Sequence, residues 1–496
     1  MSSPLLPEQL RGLKIHLVGA KGTGMAALAE LLAARGACLS GSDVAEVFYT
    51  DAILASIGLK PYAGFEAAHI DPSIRLVVHS AAYRRDANPE LLEASRLGIP
   101  VLNYPEALGE LSRRSDSSGI AGVHGKTTTT ALAGSVIAAL GLPATILAGS
   151  AVASFGGRST LIRGERYFVA ETCEYRRHFL SFRPRRILLT SVEPDHQDYY
   201  PTYADILAAF VEYALLLPPG GELIHCADDP GAVEAARAAS AARPDLRLLP
   251  YGRGAEGPFR LLSYRAGEGR AGFRLAGFAR DFELRVPGEH LALDACAALA
   301  LAFSLLAAER GLADPAAAPG TAELDAAAAA LAAFAGSKRR SEILGEAGGI
   351  LFMDDYGHHP TAIRATIAGI KAFWPGRRLV VDFMSHTSSR TKALFAEFAS
   401  CLDGADALVL HKIYPSAREL PDPEVSGRSL ERAVAERWAS LGKAGPILYS
   451  EEVLEAEGPL RSELRPGDLF LTMGAGDNWR LGAALYETFK AGDSGR

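Results

Sequence analysis

Gly122, Gly125, Lys126 and Thr127 stand within Gly-Ile-Ala-Gly-Val-His-Gly-Lys-Thr-Thr-Thr-Thr, residues 119–130, directly ahead of an apolar helical pattern over Ala131–Leu140. Residue types in this order suit the gripping of a nucleotide's phosphates. Glycines let backbone N–H groups close around an anion, and a helix start adds a positive field. Lys126 is placed to reach the terminal phosphates and the Thr127 hydroxyl to face a magnesium ion. The full pattern G-x-x-x-x-G-K-[ST] would have a glycine where Ile120 stands, so this loop is a shortened variant.

A second glycine turn, Gly19-Ala-Lys21-Gly22-Thr23-Gly24, follows the apolar run Lys14–Val18. It reads either as a tight strand–helix connection or as a pyrophosphate site for NAD or another nucleotide. Lys21 could itself touch a phosphate. Asp43 lies near where a ribose-binding acid would sit.

Other candidates stand at the ends of strand-like runs. Glu171 closes one such run, with Glu174 three residues on, and His196 sits in Glu193-Pro-Asp-His-Gln-Asp198. Acids and a histidine beside a phosphate loop are positioned to hold a divalent metal, although His196 alone reads equally as a surface or capping histidine. Arg339-Arg340-Ser-Glu342 is either a solvated basic pair or the source of one arginine that reaches a bound nucleotide. Asp354-Asp355-Tyr356-Gly-His358-His359-Pro360 and Ser385-His386-Thr-Ser-Ser-Arg390 each follow a strand-like run, and Arg390 could bind a carboxylate. Two such polar loops on one sheet favour a small-ligand pocket.

The elements that must carry these residues alternate between strand and helix. Lys14–Val18, Ala37–Ser40 and Arg75–His79 are predicted strands, with a helix over Met25–Arg35 between the first two. The polar run Ser112–Ser118 reads as a linker. Beyond it, Tyr167–Ala170, Arg186–Thr190 and Glu222–His225 are predicted strands, and Phe259–Val286 reads as short antiparallel strands. The Ala-rich stretch Leu312–Ala335 reads as helical. A third alternating pattern has strands at Ile350–Met353, Leu379–Asp382, Ala407–Leu410 and Leu469–Thr472. Alternation of this kind implies α/β domains built on parallel sheets.

A chain of 496 residues is too long for one core, which fits about three domains, here 1–114, 115–335 and 336–496. The net charge of −7 argues against a nucleic-acid partner. Five scattered cysteines without a C-x-x-C pair fit a reducing compartment and offer no zinc site. Met1–Leu13 lacks a signal-peptide core and no apolar run is read as long enough to span a bilayer, so no membrane insertion and a cytoplasmic location are expected.

Taken together these residues identify a family. The chain resembles the Mur ligases, ATP-dependent enzymes that build the peptide stem of peptidoglycan, and among them the alanine-adding branch. The most specific matches are Gly122–Thr130 and Asp354–Thr361, supported by Ser40–Asp43, Glu193–His196, Arg339–Glu342 and Met473–Asp477. The resemblance covers essentially the whole chain. It implies an α/β protein of three domains: a Rossmann-like UDP-binding domain, a central P-loop-type ATPase domain with a mostly parallel sheet, and a C-terminal Rossmann-like α/β domain.

The resemblance also implies roles. Gly19, Lys21, Gly22, Thr23, Gly24 and Asp43 would bind the UDP substrate, which displaces the NAD reading. Gly122, His124, Gly125, Lys126, Thr127 and Thr128 would hold ATP, with His290 and Asp294 at the adenine, Arg340 at the γ-phosphate and Asp355 at the ribose. Thr127, Glu171 and His196 would surround Mg²⁺. Tyr356, His358, His386 and Arg390 would line the amino-acid pocket, and Lys126, His196, Arg340 and His358 would carry catalysis. The implied substrates are ATP, UDP-N-acetylmuramate and L-alanine, and the implied assembly is a monomer or homodimer. Val123, Ser191, Leu291, Asp294, Met384 and Ser385 depart from the family pattern, and Thr387 leaves Arg390 without an adjacent arginine. Gln197–Gly221 contains no lysine, so it holds no candidate for the carbamylated lysine of later-acting members. Two alternatives stand beside this reading: a recycling ligase that attaches a preformed peptide to the same nucleotide sugar, and a catalytically idle nucleotide-binding relative.

Overall fold

The computed structural model describes Leu6, residues 9–415 and residues 422–494. By compactness the chain forms two units, one of Met1–Val192, Leu207–Glu256 and Ala297–Ala327, the other of Glu193–Ile206, Gly257–Cys296 and Ala328–Arg496.

The first unit holds two sheets. Five parallel strands run in the order Tyr62–Ala63, Cys38–Asp43, Lys14–Val18, Leu76–His79, Val101–Asn103. Buried apolar side chains fill the middle strands, and the helix Thr23–Ala34 starts at Gly22. The second sheet has seven strands, ordered Arg247–Tyr251, Glu222–Cys226, Arg186–Leu189, Asp116–Ala121, Tyr167–Glu171, Ala144–Val152, Arg158–Ile162. All its pairs are parallel except the last. Asp116–Ala121 is therefore central, and the loop that leaves it opens between the ends of two neighbours. That crevice is where ligands bind in open α/β sheets.

The two sheets are tied by a buried carboxylate. Glu30 on the first helix is paired with Arg158 and accepts a hydrogen bond from the Thr160 hydroxyl at 2.7 Å. Gly109 lies so close to the Ser181 backbone that a Cβ there would overlap it. These contacts help make residues 1–114 and the central sheet a single compact unit. The run Ser112–Ser118 is not a linker. A helix extends through Ser112 and the central strand begins at Asp116. Ser117 is buried and donates to the Ser112 carbonyl at 2.6 Å, so its polarity is satisfied locally.

The second unit contains a three-stranded antiparallel sheet, Leu261–Gly267, Arg270–Leu275 and Asp281–Leu284. Its larger sheet has six strands in the order Glu342–Ala347, Ile350–Asp355, Asp468–Met473, Arg378–Phe383, Ala407–Leu410, Ile447–Tyr449. Only the first pair is antiparallel. Apolar clusters cover both faces, one centred on Ile363, Phe398 and Trp438, the other on Val453, Leu481 and Leu485.

One expectation about membranes needs correction. The helix Glu289–Arg310 is 22 residues long and apolar enough to cross a bilayer, and 83% of its most apolar window is buried inside the protein. Its run of alanine, leucine and phenylalanine is core, which composition alone does not distinguish from a membrane span.

Candidate functional site

The phosphate loop is built by the strand before it and the two strands beside it. Gly125 caps the helix Lys126–Ala139 with a left-handed backbone (φ 78°). Gly122 has φ 140° and sits against Thr190, where a Cβ would overlap the hydroxyl. Val123 N donates to the Ser191 carbonyl at 3.0 Å and His124 N to the Ser191 hydroxyl at 2.9 Å. The Thr190 hydroxyl donates to the His124 carbonyl. Thus Ser191, a departure from the family pattern, holds the loop through its own side chain.

At the helix start, Lys126 Nζ lies 2.9 Å from Glu174 Oε2 and donates to the Gly122 carbonyl. Burial alone would lower the lysine pKa, but Glu174, Glu171 and the hydrogen bond outweigh it and hold the ammonium above its usual range. The Thr127 hydroxyl donates to Glu171 at 2.8 Å. Hydroxyl and carboxylate oxygens side by side at a helix N-terminus form a hard donor set of the kind magnesium prefers. Room for this carboxylate comes from a residue without a local sequence signal, Gly149 on the strand Ala144–Val152, where a Cβ would collide with Glu171. Thr128 is buried one residue further along the helix.

The first glycine turn is braced by its expected ligand residue. Asp43 Oδ2 accepts from Lys21 N at 2.6 Å, and Oδ1 accepts from Val44 N at 2.8 Å and the Tyr83 hydroxyl at 3.1 Å. Asp43 is buried. It therefore orders the turn. Gly19 (φ 80°) lies beneath the Tyr83 ring, where a Cβ would come within 2.5 Å of ring carbon. Tyr83 is pushed up to about 12 by burial and by Asp43. Lys21 turns its ammonium onto the Val44 and Glu46 carbonyls at 3.0 and 2.7 Å and Asp51 at 3.3 Å. Thr23 Oγ1 is 2.7 Å from the Tyr49 hydroxyl. Gly22 and Gly24 begin the helix, with Gly24 against the Tyr104 ring.

In the second unit, the Arg339-Arg340 pair divides its labour. Arg339 is fixed by Asp354 at 2.9 Å and by the Gly474 and Gly476 carbonyls. Arg340 forms no ion pair among the described residues and lies over the Tyr356 ring at 5.0 Å. Asp355 is buried and accepts from Ser341 N at 2.6 Å, the Ser341 hydroxyl at 3.2 Å and Gly357 N at 2.7 Å. Like Asp43 it ties neighbouring backbone segments together. His358 Nδ1 is 3.0 Å from the Tyr356 carbonyl. Burial, Arg390 and Arg340 push the His358 pKa well below its usual value despite Asp195.

Arg390 is already engaged along one edge of its guanidinium. It is buried, and its Nε and Nη2 donate to Asp195 Oδ1 at 3.2 and 2.8 Å. Burial would raise the Asp195 pKa, but Arg390, His196 and His358 hold it well below the carboxylate range. His196 has a left-handed backbone (φ 53°) and lies 3.8 Å from Asp195 Oδ2. It belongs to the second unit, whereas Thr127 and Glu171 belong to the first. His386 stacks on Tyr414 with centroids 5.8 Å apart. His290 and Asp294 occupy the first turns of the helix Glu289–Arg310, with Asp294 buried. Met384 is fully buried against Gly474 and Gly476, and Ser385 is buried too. Met384 is thus a packing position, whereas the Ser385 hydroxyl is buried without a hydrogen-bond partner among the described residues.

The chain matches three family descriptions in succession: "Mur ligase family, catalytic domain" over residues 14–116, "Mur ligase middle domain" over 120–302, and "Mur ligase, glutamate ligase domain" over 339–476. It is 50% identical to the UDP-N-acetylmuramate–L-alanine ligase of Treponema pallidum (strain Nichols) over 490 residues, 99% of either chain. The enzyme of the same name from Borreliella burgdorferi is 38% identical over 94% of this chain and 97% of its own. The crystal structure of the UDP-N-acetylmuramate–alanine ligase from Thermotoga maritima superposes with a TM-score of 0.74 at 24% identity, covering 97% of this chain and all of that one, and so shares the three-domain fold. This chain belongs to the Mur ligase family.

Proposed function

We propose that the protein is an ATP-dependent ligase that joins L-alanine to the carboxylate of UDP-N-acetylmuramate, the first peptide step of peptidoglycan synthesis in the cytoplasm. The full-length likeness to ligases of that name supports this reading. The observation that carries the chemistry is Lys126 at a helix start, beside Thr127 bonded to Glu171.

Segment 1–114 receives the nucleotide sugar on the braced turn at Gly19–Gly24, and segment 115–335 receives ATP on Gly122–Thr128. Segment 336–496 receives the amino acid near Tyr356, His358, His386 and Arg390. The muramate carboxylate attacks the γ-phosphorus of ATP; the bond to the β–γ bridging oxygen breaks, giving an acyl phosphate and ADP. The amine of L-alanine then attacks the acyl carbon, and loss of phosphate and a proton leaves the amide. Lys126 and Arg340 neutralise charge on the transferring phosphoryl group. Thr127 and Glu171 would hold Mg²⁺, which when bound supplies charge neutralisation at the phosphates. His358, kept neutral by burial and by Arg390 and Arg340, adds no charge to the amino-acid pocket.

The recycling reading has less support here. Of the two departures from the family pattern, Met384 is fully buried and packs on Gly474 and Gly476. An ADP-release assay with UDP-N-acetylmuramate decides: turnover with L-alanine and little with tripeptide is expected, and the reverse overturns the proposal. An idle relative would show no turnover with either.

A further inference from the structure

We infer that Asp195 is a positioning residue for the acceptor's carboxylate: it fixes one edge of the Arg390 guanidinium so that the remaining Nη1 edge is presented to the incoming amino acid. This rests on the alanine-adding reading above.

The geometry is one-sided. Arg390 Nε and Nη2 share Asp195 Oδ1 at 3.2 and 2.8 Å, and Asp195 is the one carboxylate paired with Arg390 among the described residues. Both residues are buried, at 7% and 3% exposure. A planar guanidinium held along one edge has its second edge aimed, and aim matters for a ligand as small as L-alanine. The main chain below is fixed as well. Thr387, at φ 68°, donates its N–H to the Tyr414 carbonyl at 3.3 Å, and its carbonyl accepts from the Thr391 hydroxyl at 2.7 Å. Thr387 brings no second cation, so recognition of the carboxylate falls on Arg390.

Asp195 is itself anchored to this unit. Two residues before it, Glu193 accepts from the Thr361 hydroxyl at 3.0 Å. A buried ion pair is a poor way to gain stability, because desolvation of the two charges largely cancels their attraction. A buried pair that includes a proposed substrate-binding arginine is better explained by orientation. His358 Nδ1 is directed at the Tyr356 carbonyl and not at Asp195.

The test is a steady-state comparison of wild type with Asp195→Asn, which keeps shape and removes charge. The KM for L-alanine is expected to rise about tenfold or more, while the KM values for ATP and UDP-N-acetylmuramate and the Mg²⁺ activation constant stay within about twofold. Arg390→Lys should show the same selective rise, and the double variant should be no worse than the weaker single variant. Should Asp195→Asn fail to fold, Asp195→Glu, which keeps the charge but displaces it, should give a smaller rise confined to L-alanine. An unmoved L-alanine KM overturns the inference. So does a change in the Mg²⁺ constant, which would assign Asp195 to His196, or an equal change in all constants. Wild type without L-alanine turnover overturns the functional reading and this inference together; working wild type with an unselective variant overturns this inference alone.

Discussion

Lys126 Nζ lies 2.9 Å from Glu174 Oε2, with both side chains largely out of solvent. The lysine proposed to meet ATP is thus held charged and aimed by a carboxylate on the neighbouring strand's exit loop. Lys126→Ala is expected to lower ATP turnover by about 100-fold or more and, by leaving Glu174 unpaired, to cost about 3 kcal/mol of stability. ADP release and denaturant unfolding measure the two effects. Because folding raises the lysine pKa, its contribution is complete below the ordinary value of 10.5 and is lost as pH rises through the folded value. Wild type and variant should therefore converge in stability only in strongly alkaline solution.

Gly149 leaves the space that the Glu171 carboxylate occupies. Gly149→Ala should push that flexible carboxylate off the Thr127 hydroxyl without unfolding the sheet. The Mg²⁺ activation constant is expected to rise about tenfold, with the melting temperature little changed. Titration of activity with Mg²⁺ at saturating ATP checks this; an unchanged constant would remove Glu171 from the metal site.

Tyr83 covers Gly19 and donates to Asp43. Tyr83→Phe removes one hydrogen bond from the brace and should raise the KM for UDP-N-acetylmuramate about fivefold while leaving that for ATP unchanged. Gly19→Ala combines a left-handed backbone with a clash against the ring, so it should weaken nucleotide-sugar binding more severely. Separate KM values for the two nucleotides distinguish these outcomes.

His411 Nε2 and Asp382 Oδ1 lie 2.5 Å apart with neither side chain exposed, and Asn478 Nδ2 donates to Asp382 Oδ2 at 2.9 Å. Burial would lower the histidine pKa, but Asp382 and the Ser450 carbonyl raise it above 6.5. The contribution is therefore complete below that ordinary value and lost as pH rises through the raised one. Asp382→Asn should destabilise by about 2 kcal/mol at pH 6 and by less at pH 9, as read by urea unfolding at the two values.

Local chemistry was legible from residue order. Strand Lys14–Val18 begins and ends where its apolar run does, and Ala407–Leu410 likewise. The loop Gly122–Thr130 could be read because its function depends on consecutive backbone groups and on the residues immediately after them. What sequence alone determined was therefore the α/β alternation, the phosphate loop and the family. The tertiary structure decided which polar residues are already spoken for. Asp43 and Asp355 read as ligand groups, and folding gives each of them backbone N–H partners, Lys21 N for Asp43 and Gly357 N for Asp355. Arg390 reads as an open receptor, yet Asp195, far away in the chain, occupies one edge of it. Gly149 and Tyr83 gave no local signal, because each acts through a residue distant in sequence. A buried carboxylate or guanidinium must find a partner wherever folding brings one, and that partner is set by three-dimensional packing.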